Sequence, residues 1–271
     1  MELGSSTARF WGVEKDFLKV LDWISEYFKV AELWVEPPHY PSWRTSREKA
    51  DLDRLTDILV VTELKTTIHA PCRDLSLCSW NPAVNVLAVK EITKSLEMAA
   101  EINSKVVTFH PGKWRLSAED AGDILRRNLE VLDDVAADYS AKLCLENPHH
   151  DGCCRTIGDM LEVTGGLKNI YLTLDLAHLS LEKNQDLGEH KSKLARKVRN
   201  VHIANITDEA RHTPLLKETR FLRESLKALK GMKYKGPVIL EGKIEESPER
   251  IIPREVATFR KMLRRACPAA P

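Results

Sequence analysis

The sequence predicts an α/β fold, a (β/α)8 TIM barrel formed as a single domain over residues 1–271. Two observations carry this expectation. Short runs rich in Val, Ile, Leu and Thr alternate with longer segments of helical periodicity, and most runs are continuously apolar, as in strands buried on both faces. Seven runs also end in a residue that binds metals or moves protons: Glu36, His69, His110, Glu146, Asp175, His202 and Glu241. Successive ends lie 33, 41, 36, 29, 27 and 39 residues apart, each the length of a strand plus a crossover helix. Parallel strands closed into a barrel point their carboxyl ends at one mouth, where such residues would converge.

The elements follow in order. Strands are expected near 1–6, 31–36, 66–70, 105–110, 141–146, 169–175, 198–204 and 237–241. The first is the short, polar MELGSS; the others are runs such as AELWVE, KVVTFH and IYLTLD. Helices are expected near 14–28, 48–63, 82–103, 117–139, 156–165, 184–196, 218–230 and 247–264. Pro82 suits a first helical turn, and Val86, Val89, Ile92, Leu96 and Ala99 recur at helical spacing after it. Ser117 followed by Glu119 and Asp120 is a helix start, and Ile124, Leu125, Leu129, Leu132 and Val135 form the stripe behind it. Phe221, Leu222, Leu226 and Leu229 repeat the pattern, and Gly231 stops it. Phe259, Met262 and Leu263 mark the core side of the last helix. An open doubly wound sheet usually carries a Gly-rich phosphate turn after an early strand, and Gly4-Ser5-Ser6-Thr7 does not make one.

Composition narrows the classes of function. The 41 basic and 40 acidic residues nearly cancel, so no long-range field draws the chain to nucleic acid or to an anionic membrane. The basic run 191–197 reads as the solvated face of a helix. No run reaches membrane-spanning length and no signal-peptide pattern opens the chain, which points to the cytoplasm and to reduced thiols. Of the six cysteines, Cys144 lies in a strand, while the adjacent pair Cys153-Cys154 lacks the spacing of a closed zinc site. Trp23 reads as helix core, and Trp43, Trp80 and Trp114 fall in loops at the mouth, within reach of a substrate.

The strand-end set contains three imidazoles, His69, His110 and His202, and the carboxylates Glu146, Asp175 and Glu241. Mixed nitrogen and oxygen donors suit zinc, manganese, cobalt or iron better than calcium. Each residue taken singly also reads as a hydrogen-bonded structural group, but buried acids are costly unless paired or metal-bound. His178 lies one helical turn after Asp175, and His212 sits in the loop after the seventh strand. Glu36 reads equally as a ligand for a substrate hydroxyl and as the partner of a neighbouring Lys or Arg.

These motifs resemble the xylose isomerase-like barrel superfamily, which includes endonuclease IV and many sugar and sugar-phosphate isomerases and epimerases. His69-Ala70-Pro71 is similar to its third-strand motif, His110-Pro111-Gly112 to the fourth, Leu145-Glu146-Asn147 to the fifth and Asp175-Leu176-Ala177-His178 to the sixth. His202 and Glu241 resemble the ligands of the last two strands. The resemblance implies that Glu146, Asp175, His202 and Glu241 hold one divalent ion. In the isomerase branch the two glutamates also shuttle the proton; on that reading an enediolate forms here, with His178, Arg211 and His212 expected to place the substrate. In the endonuclease branch His69 and His110 add a second zinc bridged by Glu146. A third zinc is held there by His178, His212 and an aspartate two residues before that histidine, where this chain has Ala210. Position 205 is Asn where Asp is common, and PPHYPSW and PHHDGCC replace endonuclease segments.

The expected activity is therefore a divalent-metal-dependent isomerase or epimerase of a sugar or sugar phosphate. The alternative is a zinc phosphodiesterase acting on abasic DNA, the one reading with a nucleic-acid partner. Zinc or manganese is the expected cofactor, with one to three ions, and no membrane partner is expected.

Overall fold

A computed structural model describes residues 1–37, 48–113, 118–148, 153–207, 209 and 211–266. Eight parallel strands close into a barrel: β1 (Glu2–Ser6), β2 (Val30–Trp34), β3 (Lys65–His69), β4 (Val106–Phe109), β5 (Lys142–Glu146), β6 (Ile170–Asp175), β7 (Val198–Ile203) and β10 (Pro237–Leu240). The order around the barrel is β1-β10-β7-β6-β5-β4-β3-β2, so each strand but the pair that closes the ring lies beside its sequence neighbours. The first strand forms as read; its Ser6 backbone pairs with Glu32 across the β1–β2 register.

The helices between them are α1 (Phe17–Tyr27), α2 (Glu48–Thr62), α3 (Pro82–Glu101), α4 (Ala118–Ala136), α5 (Ile157–Val163), α6 (Leu176–Leu179), α7 (Lys191–Lys197), α8 (Arg220–Gly231) and α9 (Pro248–Arg265). Local chemistry fixes several ends. The Asn81 side chain accepts from Ala83 N ahead of Pro82, and Thr156 with Asp159 closes a capping box at α5. The expected start at Ser117 lies outside the described residues. Outward strand residues and inward helix residues make the core, for example Leu143, Leu145, Leu172 and Leu174 against Leu125, Leu129, Leu132 and Met160. No helix among the described residues is long and apolar enough to cross a membrane.

Three features differ from the sequence reading. The sixth helix, expected over 184–196, is two short pieces: α6 caps directly onto Asp175, and α7 begins only at Lys191. In α7 only Leu194 is buried, so the basic run is a solvated face as expected. A small antiparallel pair, β8 (Asn205–Ile206) and β9 (His212–Thr213), stands on the mouth after β7 and carries His212. Two-residue strands lie below what period-2 patterning detects. Finally, Glu36 falls two residues beyond β2 rather than at its end.

Candidate metal centre and active site

Side chains alternate along each strand, so the residue two before a strand-end ligand also faces the lumen. Hydrogen bonds between strands that are not neighbours demonstrate this, because only the interior can carry them. Thr108 of β4 meets Thr173 of β6, Oγ1 to Oγ1, at 2.8 Å. The Asn200 amide of β7 donates to Glu32 of β2 at 2.8 Å and to Thr108 at 3.1 Å. Thr67 Oγ1 also donates to Glu32, at 3.1 Å. Glu32, Thr67, Thr108, Thr173 and Asn200 thus form a buried polar floor, and the strand-end residues stand above it.

On that floor the expected ligands converge. Glu146 points one oxygen at His69 Nε2 (3.2 Å) and His110 Nε2 (3.0 Å), and the other at His202 Nδ1 (3.0 Å). Glu241 Oε1 lies 3.1 Å from the same His202 nitrogen, and Glu241 Oε2 lies 3.6 Å from His212 Nδ1. Asp175 Oδ2 is 3.5 Å from both His178 Nδ1 and His212 Nε2. Three overlapping groups result, each with ligand atoms within 4.8 Å of one another: His69, His110 and Glu146; Glu146, Asp175, His202 and Glu241; and Asp175, His178 and His212. Each has the donor chemistry to hold a metal ion. Among the described residues, Asp175 Oδ2, Glu241 Oε1 and His212 Nε2 are buried and make no well-aligned hydrogen bond, their close neighbours being ion-pair contacts, and a bound cation would satisfy them by coordination.

The protein orients these groups by local bonds. His69 Nδ1 lies 2.9 Å from the Ala70 carbonyl, leaving Nε2 to the cluster, and the ring stacks on Trp34 with centroids 3.7 Å apart. The Asn147 amide brackets Asp175, accepting from its N–H at 2.8 Å and donating to its carbonyl at 3.0 Å. Asp175 in turn caps α6 by accepting from His178 N at 2.7 Å. Gly112 follows His110 with φ +92, and a Cβ there would fall 2.4 Å from Ser76 Cα, so the fourth mouth loop packs directly on the third.

The electrostatics follow from four carboxylates and several imidazoles buried together. Burial opposes charge on His202, yet Glu146, Glu241 and Glu32 raise it well above an ordinary imidazole. Burial likewise raises Glu146, but His202 and His110 outweigh it and hold the carboxyl well below the usual carboxylate range. Burial prevails at Glu241 and pushes it up.

Other expected residues take different places. Glu36 accepts from the Cys72 and Arg73 backbone amides and lies 3.4 Å from the Arg73 guanidinium. It clamps the third mouth loop, which matches the ion-pair reading of this residue. Arg211 is exposed and pairs with Glu209. It lines a cavity of about 630 Å³ beside His212, with Thr207, Lys243, Glu245 and Glu246. Trp80 is exposed, and Trp43, Trp114, Asp208, Ala210 and the segment 149–152 lie outside the described residues. Cys153 and Cys154 belong to none of the ligand groups; the Cys153 thiol lies against Cys78, lowering the latter to about 7. Glu32, buried at mid-strand, escaped the strand-end pattern; its signal is an acid inside an apolar run, two residues before a mouth position.

Solved structures share this architecture. A D-tagatose 3-epimerase-like protein superposes with a TM-score of 0.82 at 24% identity, covering 98% of each chain. An L-ribulose 3-epimerase gives 0.80 at 17%, covering 98% of this chain and 95% of its own. The IolI protein with a bound zinc atom gives 0.78 at 18%, covering 99% and 100%. Sequence relatives include two uncharacterised proteins of Methanocaldococcus jannaschii, 26% identical over 260 residues (92% of each chain) and 26% over 206 residues (75% of this chain, 77% of the relative). The sequence pattern of the xylose isomerase-like TIM barrel matches residues 21–262, and the chain belongs to that family.

Proposed function

We propose that this protein is a divalent-metal-dependent isomerase or epimerase of a sugar or sugar phosphate. One observation carries the reading: two glutamates, Glu146 and Glu241, approach one imidazole nitrogen, His202 Nδ1, at 3.0 and 3.1 Å, with Asp175 completing a four-ligand group. Zinc or manganese suits these donors. Bound by Glu146, Asp175, His202 and Glu241, such an ion would polarise a carbonyl and its neighbouring hydroxyl.

The chain's own groups then do the proton work. One glutamate takes the proton from the carbon beside the carbonyl, and the other returns a proton to the opposite face. His178 and His212, stacked with centroids 4.6 Å apart, offer donors to substrate hydroxyls on one side. The adjoining cavity has the size of a small-molecule pocket. Its lining has three glutamates against Arg211 and Lys243, a poor match to a polyanion. The 3-epimerases that share the fold support the same reading.

A second reading has its own observation. His69 and His110 meet on one Glu146 oxygen, a second ligand group that a simple epimerase does not need. It favours a multinuclear phosphodiesterase, with Glu146 bridging two ions. The third group forms here with Asp175, which the four-ligand group already uses.

The test is a panel of ketoses and ketose phosphates incubated in D2O with manganese- or zinc-loaded protein. Proton exchange beside the carbonyl, lost in Glu146→Gln and Glu241→Gln, supports the proposal. Nicking of an abasic duplex without exchange on any sugar replaces it with the second reading.

A further inference from the structure

Glu32 is fully buried near the middle of β2, beneath the ligand cluster. Both of its oxygens lie 3.1 Å from His202 Nε2. Oε2 also accepts from Asn200 Nδ2 at 2.8 Å and from Thr67 Oγ1 at 3.1 Å, which fixes the carboxylate against two further strands. Through Asn200 the chain of bonds continues to Thr108 and Thr173. A carboxylate this deep is costly unless a positively polarised group faces it, and His202 is its ion-pair partner among the described residues. Asn200 Nδ2 also lies 3.0 Å from His202 Nε2, but its two hydrogens already go to Glu32 and Thr108, so Glu32 is the acceptor facing Nε2 and Nδ1 is the nitrogen His202 presents to Glu146 and Glu241.

We propose that Glu32 is a positioning residue: it holds His202 by Nε2, so that Nδ1 is the donor offered to the divalent cation, and it thereby sets how tightly the four-ligand group retains that cation. This rests on the metal-site reading above. An outer carboxylate fixes the tautomer and ring orientation of a ligating imidazole and raises its basicity, and losing one weakens metal affinity by about 10–100-fold. Glu32 touches neither cation nor substrate; it acts through His202.

The test compares cobalt and zinc affinities, by chelator competition, of the wild type, Glu32→Gln and Thr67→Val. Thr67→Val removes a bond to Glu32 from the same floor and leaves the contact with His202 in place. The expected result is about 10–100-fold weaker binding in Glu32→Gln, with Thr67→Val within a few-fold of wild type. Near-UV circular dichroism of the metal-free proteins checks the fold. Nitrogen-15 spectra of the zinc-loaded wild type should show a slowly exchanging His202 Nε2–H and a zinc-bound Nδ1. Wild-type affinity in Glu32→Gln, equal weakening in Thr67→Val, or zinc on Nε2 overturns the proposal. Failure of the wild type itself to bind either metal removes the metal-site reading, and this inference with it, without recourse to a variant.

Discussion

The Glu146 carboxylate is divided between two directions: Oε1 lies 3.0 Å from His202 Nδ1, while Oε2 faces His69 and His110. It is the one residue common to the four-ligand group and the His69–His110 group. Glu146→Gln should therefore weaken cation binding at both and lower turnover by about 10²–10⁴-fold, the usual contribution of a positioned proton-transfer group. Glu241→Gln should lower turnover comparably but leave the His69–His110 group intact. Steady-state kinetics with metal analysis of each purified variant checks this; equal metal loss in both would contradict it.

Cation binding should release protons. Glu146 and the other acids raise His202, and Glu146 also raises His69 against the effect of burial. Both shifts favour the protonated imidazole in the metal-free protein, that of His202 the more strongly, whereas a ligand imidazole must give up the proton on the coordinating nitrogen. Affinity should then rise with pH and weaken as pH falls through the neutral range. Calorimetric titration with zinc in two buffers of different ionisation heat measures the protons released; a heat independent of buffer would contradict this.

The Asn147 bracket on Asp175 should be a stabilising element as well as a guide. Both Asn147 and Asp175 are buried, so Asn147→Ala leaves the Asp175 N–H and carbonyl without their partner. A cost of about 1–3 kcal/mol per unsatisfied buried group is expected, read from denaturant unfolding of the metal-free protein. An unchanged midpoint would show that water replaces the amide.

Arg9 and Glu255 form a fully buried ion pair that ties three segments of the mouth together. Arg9 Nε donates to the Gly242 carbonyl at 3.0 Å, and Glu255 accepts from Leu215 N at 2.9 Å. Gly242 has no room for a side chain, since a Cβ would fall 2.2 Å from the Thr213 carbonyl oxygen. Arg9→Met should cost about 3–5 kcal/mol by stranding Glu255, and adding Glu255→Leu should recover much of it. Urea unfolding of the two variants tests this; additive losses would contradict it.

Most of the barrel was legible because its strands are buried on both faces and read as apolar runs, each closed by a residue such as His110 or Asp175 that an apolar run does not otherwise favour. The convergence of Glu146, Asp175, His202 and Glu241 followed from the common direction of parallel strands. Glu32 was not legible, because the strand-end rule looks one layer above it; counting back two residues along AELW would have found it. The role of Glu36 was left open because sequence cannot tell which backbone amides a mouth carboxylate meets. The single turn of α6 starts on Asp175 as its N-cap, a contact set by the barrel, and Asn184, with φ +58, falls where the helix was expected to begin, so α7 starts only at Lys191.

Anomalous diffraction at the zinc edge from metal-soaked crystals shows where the cation sits. A peak is expected about 2.0–2.2 Å from Glu146, Asp175, Glu241 and His202 Nδ1. A fully loaded protein with no peak among those four residues would contradict it.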